Sequence, residues 1–125
     1  DLQAVCTARV RSNTPLQSLM SANDPAQFEF AQGLAARVLT EVPLSESDRI
    51  SRIYMICLSR LPSATERSAI SGFLERQLTY FSSSAEDAKQ IAPPMLVVPV
   101  DIAMAASWTT LARALMNTDE FITRE

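Results

Sequence analysis

A chain of 125 residues, 47 % hydrophobic and 20 % charged, is long enough for one domain with a real core and too short for two. It contains no histidine, which excludes a Ser-His-Asp triad, a Cys-His pair and a His-ligated zinc. A net charge of −3 without a Lys/Arg run argues against nucleic-acid binding, which depends on neutralising phosphates.

The same arithmetic narrows the remaining classes. No stretch reaches the ~18 apolar residues that a transmembrane helix needs, so no membrane insertion is expected. The chain starts at Asp1 without a methionine or a signal-peptide pattern and reads as a piece of something longer. Lys89 is the only lysine among the 11 basic residues. That arginine bias suits an ion-paired surface, and a GC-rich genome explains it equally well. Cys6 and Cys57 stand too far apart for the Cys-x-x-Cys-His of a c-type haem attachment. They could pair in an oxidising compartment, but Cys57 falls on an apolar helical stripe and reads better as a buried thiol.

In chain order, Asn13-Thr14-Pro15-Leu16-Gln17 has a cap at Thr14, proline at the first helical position and Gln17 in the capping-box place. A short helix to about Ala22 follows, with Leu16, Leu19 and Met20 on one face. Asn23-Asp24-Pro25-Ala26-Gln27 repeats the device and opens a second helix, Pro25 to about Thr40. It should bury Phe28, Ala31, Leu34, Ala35 and Val38 at 3.6-residue spacing. Gly33 in its middle costs about 1 kcal/mol relative to alanine, which points to a close helix crossing or to mere tolerance.

Pro43 and Leu44 make a turn, and Ser45-Glu46-Ser47-Asp48 opens the third helix. Ile50, Ile53, Tyr54, Cys57 and Leu58 form its apolar face, with Arg49 and Arg52 off it. Arg60 suits the helix dipole and Pro62 prevents continuation. Ser63-Ala64-Thr65-Glu66 is a full capping box. The fourth helix carries Ile70, Phe73, Leu74, Gln77, Leu78 and Phe81, with Glu66, Arg67, Glu75 and Arg76 outside.

Residues 82–100 break the pattern: a serine run, then Pro93-Pro94, then the aperiodic apolar Met95–Val100. They read as one long proline-rich loop, uncommon inside a compact domain and often functional. Asp101 can cap a last long helix on which Met104, Ala105, Trp108, Leu111, Ala112 and Leu115 share a face. Asn117 ends it, and Thr118-Asp119-Glu120 starts a terminal turn holding Phe121 and Ile122. The expectation is a single all-α domain over 1–125, a bundle of about five helices with one long loop before the last.

Three ordered motifs resemble a known family. Arg11-Ser12-Asn13-Thr14-Pro15-Leu16-Gln17-Ser18-Leu19 followed by Asn23-Asp24-Pro25 is similar to the opening of a C-terminal domain of unknown function common in planctomycete proteins. Asp48 to Glu66, with Arg60-Leu61-Pro62-Ser63-Ala64-Thr65-Glu66, resembles its middle helical hairpin. Trp108 to Phe121 resembles its closing element. The resemblance covers nearly the whole chain except about 82–100. It implies the C-terminal end of a large exported protein, with cytochrome c-like domains upstream as partners in the same polypeptide. It supplies no catalytic residues, and the lack of a haem motif and of histidine leaves no haem role here.

The notable clusters each have two readings. Arg11, Asn13, Gln17 and Asn23 could be polar contacts at adjacent helix N-termini, which favour anions; as caps and turn ties they satisfy backbone groups instead. Asp119 and Glu120 match no calcium-loop spacing and suit a terminal helical turn. Trp108 could stack on a sugar ring if exposed, but its phase with Met104, Leu111 and Leu115 reads as core. Met95, Leu96, Val97 and Val98 either seal the bundle or, with Trp108, form an interface. Glu66, Glu75 and Glu86 are too spread for a paired-carboxylate site. No catalytic, cofactor-binding or metal residue is assigned. The expected function is a non-catalytic structural or docking module of an exported protein; the alternative is the helical part of a carbohydrate-recognition or enzyme site completed by upstream domains.

Overall fold

The computed structural model describes residues 25–42, 45–94 and 100–118. The expected helix over 14–22, the 43–44 turn, the apolar run 95–98 and the terminal turn after Thr118 lie outside those residues. So do Cys6, Arg11, Asn13, Gln17 and Asn23. Every regular element among the described residues is a helix: α1 (Pro25–Glu41), α2 (Glu46–Leu58), α3 (Ala64–Ser83), α4 (Ala85–Ile91) and α5 (Ile102–Met116). The all-α bundle is as expected, but its membership differs from the sequence reading. One of these helices, α4, lies within the stretch expected to be loop.

α1 begins at Pro25 and buries Ala31, Leu34, Ala35, Val38 and Leu39. Phe28, expected in the core, is only half-buried, with the Arg113 guanidinium carbon 5.0 Å from its ring centroid. Gly33 makes no close crossing. A Cβ built there meets nothing within 4 Å, so tolerance is the correct reading.

α2 starts where Ser45 caps it, the Ser45 hydroxyl accepting from the Asp48 N–H at 3.2 Å. Its apolar face is buried as spaced: Ile50, Ile53, Tyr54, Cys57 and Leu58. It stops before Pro62, at Ser59, which adopts the left-handed conformation (φ 60) and donates its N–H to the Met55 carbonyl. α3 opens with both halves of the capping box in place, the Glu66 N–H to the Ser63 hydroxyl and the Ser63 N–H to Glu66 Oε1. Ile70, Leu74 and Phe81 are buried along it, whereas Leu78 is exposed.

α4 corrects the loop assigned to 82–100. Its seven residues carry Glu86 and Asp87 in the first turn and Lys89 in the last, the charge order that the helix dipole favours. Ala88 is fully buried and secures the helix to the core.

α5 is the axis of the fold. α1, α3 and α4 all pack on it, and Ala103, the run Ala105–Ala112 and Ala114–Met116 are buried. The sequence reading gave α5 one apolar face; a helix buried on nearly all sides belongs at the centre of a bundle. Five alanines (103, 105, 106, 112 and 114) line it and let neighbouring helices approach closely. Ser107, Thr109 and Thr110 are buried there too, each hydroxyl donating to the carbonyl four residues back at 2.8–2.9 Å. That bond removes the penalty of an unpaired buried hydroxyl. Asp101 precedes α5 but makes no side-chain cap bond, and Asn117 ends it as expected.

Candidate functional site

The polar side chains of α2 and α3 join the two helices. Arg60 places Nη1 on Glu66 Oε1 and Nη2 on Glu66 Oε2, each at 2.8 Å. Its guanidinium carbon stands 5.3 Å from the Tyr54 ring centroid. Arg60 hydrogen bonding, aided by the Ser63 N–H, outweighs partial burial and holds the Glu66 carboxyl at about 2. Arg67 donates to the Ser47 carbonyl and hydroxyl and to the Ser51 hydroxyl at 3.0–3.1 Å. Ser71 donates to Glu46 Oε2 at 2.9 Å. On the other side of α2, hydrogen bonds from Arg52 and then Arg37 hold the Glu41 carboxyl below its usual range.

Two further ties fix α4. Gln32 Nε2 donates to the Ile91 and Ala92 carbonyls, both at 3.1 Å, and the Tyr80 hydroxyl donates to Asp87. The hydrogen bond to Asp87 raises the Tyr80 phenol above its ordinary value, because ionising Tyr80 would lose that bond and set two negative charges together.

Arg49 departs from its expected solvent position. It is 7 % exposed, its Nε donates to the Val42 carbonyl, and its Nη1 lies 3.6 Å from Met104 Sδ. Burial pulls its pKa below the ordinary arginine value, partly offset by the Glu46 charge. The side chain thereby holds the end of α1 and the start of α5 to α2.

A cleft of about 350 Å³ opens between α2, α3 and α5, lined by Glu46, Ser71, Leu74, Glu75, Leu78, Met104, Ser107 and Trp108. Leu74, Leu78, Met104 and Trp108 give it apolar walls, and Glu46 and Glu75 supply carboxylates. Helical spacing could not have revealed it, since its lining comes from three helices remote in sequence. Trp108 is 3 % exposed. It is therefore a core residue, as its helical phase suggested, whose side chain also borders this cleft, and the burial counts against sugar stacking. Among the described residues no group of three or more His, Cys, Asp or Glu could hold a metal ion, and no helix is long and apolar enough to cross a membrane. Cys57 is buried.

The model of PSD1, described as a protein of unknown function (DUF1553), matches residues 1–74, more than half of the chain. That span contains the Arg11–Pro25 opening and the Asp48–Glu66 hairpin, and stops before the closing Trp108–Phe121 element. No curated protein matches, and no solved structure does.

Proposed function

The chain belongs to the PSD1 family of proteins of unknown function (DUF1553), and from that premise we propose that it is a non-catalytic structural or docking module. Its setting is the end of an exported planctomycete multidomain protein with cytochrome c-like domains upstream, and it packs on those domains of its own polypeptide. One contrast carries this reading. Polar side chains between the helices are committed within the chain, in the Arg60–Glu66, Arg67–Ser47 and Ser71–Glu46 contacts and in the Gln32 bond to the Ile91 carbonyl. Large apolar side chains meanwhile face solvent: Leu61 is 57 % exposed and Phe30 56 %, followed in decreasing order by Tyr80, Met55, Ile102 and Leu78. Apolar side chains that face outward gain free energy by burial against a neighbouring domain.

Calorimetric titration of this chain with the remaining part of its parent protein tests the reading. Binding that weakens on Phe30→Ser, Leu61→Ser or the pair Val97→Ser and Val98→Ser supports it and maps the interface. No heat at tens of micromolar, with both pieces folded, overturns it. The carbohydrate-site alternative loses its stacking surface to the burial of Trp108; its polar candidates Arg11, Asn13, Gln17 and Asn23 lie outside the described residues.

A further inference from the structure

We propose that the cleft between α2, α3 and α5 receives one arginine or lysine side chain from the upstream part of the polypeptide, an inference that rests on the docking reading. The lining sets the chemistry of the occupant. Leu74, Leu78, Met104 and Trp108 offer apolar contact, while Glu46, Glu75 and Ser71 offer acceptors. A group that suits both is an aliphatic stem ending in a cation, the make-up of Lys and Arg. At about 350 Å³ the cleft lies at the small end of ligand-sized pockets, the scale of a single side chain rather than a helix.

Charge complementarity comes mainly from Glu75. Glu46 is already engaged, accepting from Ser71 and offsetting the burial of Arg49. Arg49 itself reaches Met104 Sδ at 3.6 Å, so part of the Glu46 charge is balanced from within the chain. Glu75 forms no ion pair among the described residues. Glu75 is exposed, so its attraction for an incoming cation is that of a solvent-screened surface pair.

Trp108 is the chain's single tryptophan and lines the cleft, so its fluorescence reports occupancy directly. Hexylammonium, a minimal stem with a cationic head, is the probe, with hexanol and hexanoate at the same concentrations as comparisons. The expected result is a saturable change in emission with hexylammonium that exceeds both comparisons. Glu75→Gln, a substitution on an exposed helical position, should weaken it by about three- to tenfold. An equal response to hexanol, or a Glu75→Gln variant that titrates like the parent, overturns the proposal.

A parallel titration with the rest of the polypeptide separates this proposal from the docking reading. Binding of that part that neither Glu75→Gln nor hexylammonium disturbs overturns the cleft and leaves docking standing. Hexylammonium binding with no binding of that part overturns docking, and with it the assigned occupant.

Discussion

Arg60 and Glu66 meet in a two-pronged ion pair, both N–O distances 2.8 Å, across the turn that joins α2 to α3. Glu66 is at the same time the third helical residue of the Ser63 capping box. A single carboxylate thus neutralises a cation at the end of one helix and satisfies the backbone at the start of the next. The planar fork of arginine matches a carboxylate in a way that a lysine ammonium does not.

This pairing makes stability pH-dependent. In the folded chain the Glu66 carboxyl is held at about 2, below its ordinary 4.5, chiefly by the Arg60 hydrogen bonds. A depressed folded value contributes stability that is fully present above the unfolded value and is lost as pH falls from there through about 2. The Glu66 side chain is 15 % exposed and Arg60 39 %, and solvent screening keeps the contribution to about 1–2 kcal/mol. Glu66→Gln should therefore be less stable than the parent by that amount at pH 7. The difference should shrink as pH is lowered from 5 toward 2, read by urea denaturation at each pH.

Gly33 offers a stabilising substitution. It lies inside α1, is exposed, and an added Cβ meets nothing within 4 Å. Gly33→Ala should raise stability by about 0.5–1 kcal/mol through lower chain entropy in the unfolded state. Thermal denaturation would show it as a midpoint higher by a few degrees, and an unchanged or lower midpoint would refute it.

Gln32 anchors the C-terminal end of α4 through the Ile91 and Ala92 carbonyls. Replacing it with leucine leaves both carbonyls without that donor and should cost about 1–2 kcal/mol. The loss should be local, because a helix of seven residues has little stability of its own. Hydrogen exchange should quicken most at the amides of Ala88 and Ala92, which close the turns of α4, and much less at α5.

Arg49 is a buried cation with structural work at two ends, the Val42 carbonyl and Met104. Arg49→Ala should cost about 2–4 kcal/mol, from lost stem packing together with a carbonyl deprived of its charged donor. Arg49→Lys should recover only part of this, since a single ammonium cannot reproduce the guanidinium's geometry. Chemical denaturation of the two variants checks the order.

Much of this fold was legible in one dimension because its start signals are local chemistry. The Ser63–Glu66 box, the Ser45 cap, the Pro25 start and the Asn117 end each depend on residues a few positions apart, and the helical spacing of α1 and α2 marked their buried faces. α4 was hidden because seven residues are too few for a 3.6-residue period to emerge, and the serine run before it reads as loop. The burial of Arg49 was equally invisible: its partners, Val42 and Met104, lie 7 and 55 residues away.

What the sequence by itself determined is therefore where α1, α2, α3 and α5 start, most of the core residues of α1 and α2, and a chain whose lack of histidine removes whole classes of chemistry. Tertiary structure alone decided that α5 is surrounded rather than one-faced, that Arg49 is buried, and that Glu46, Glu75 and Met104 border one cleft. The physical reason is range. Capping and periodicity act within a turn or two of backbone, whereas burial and the gathering of a lining depend on which helices pack together, and that is settled only when the whole apolar surface leaves water at once.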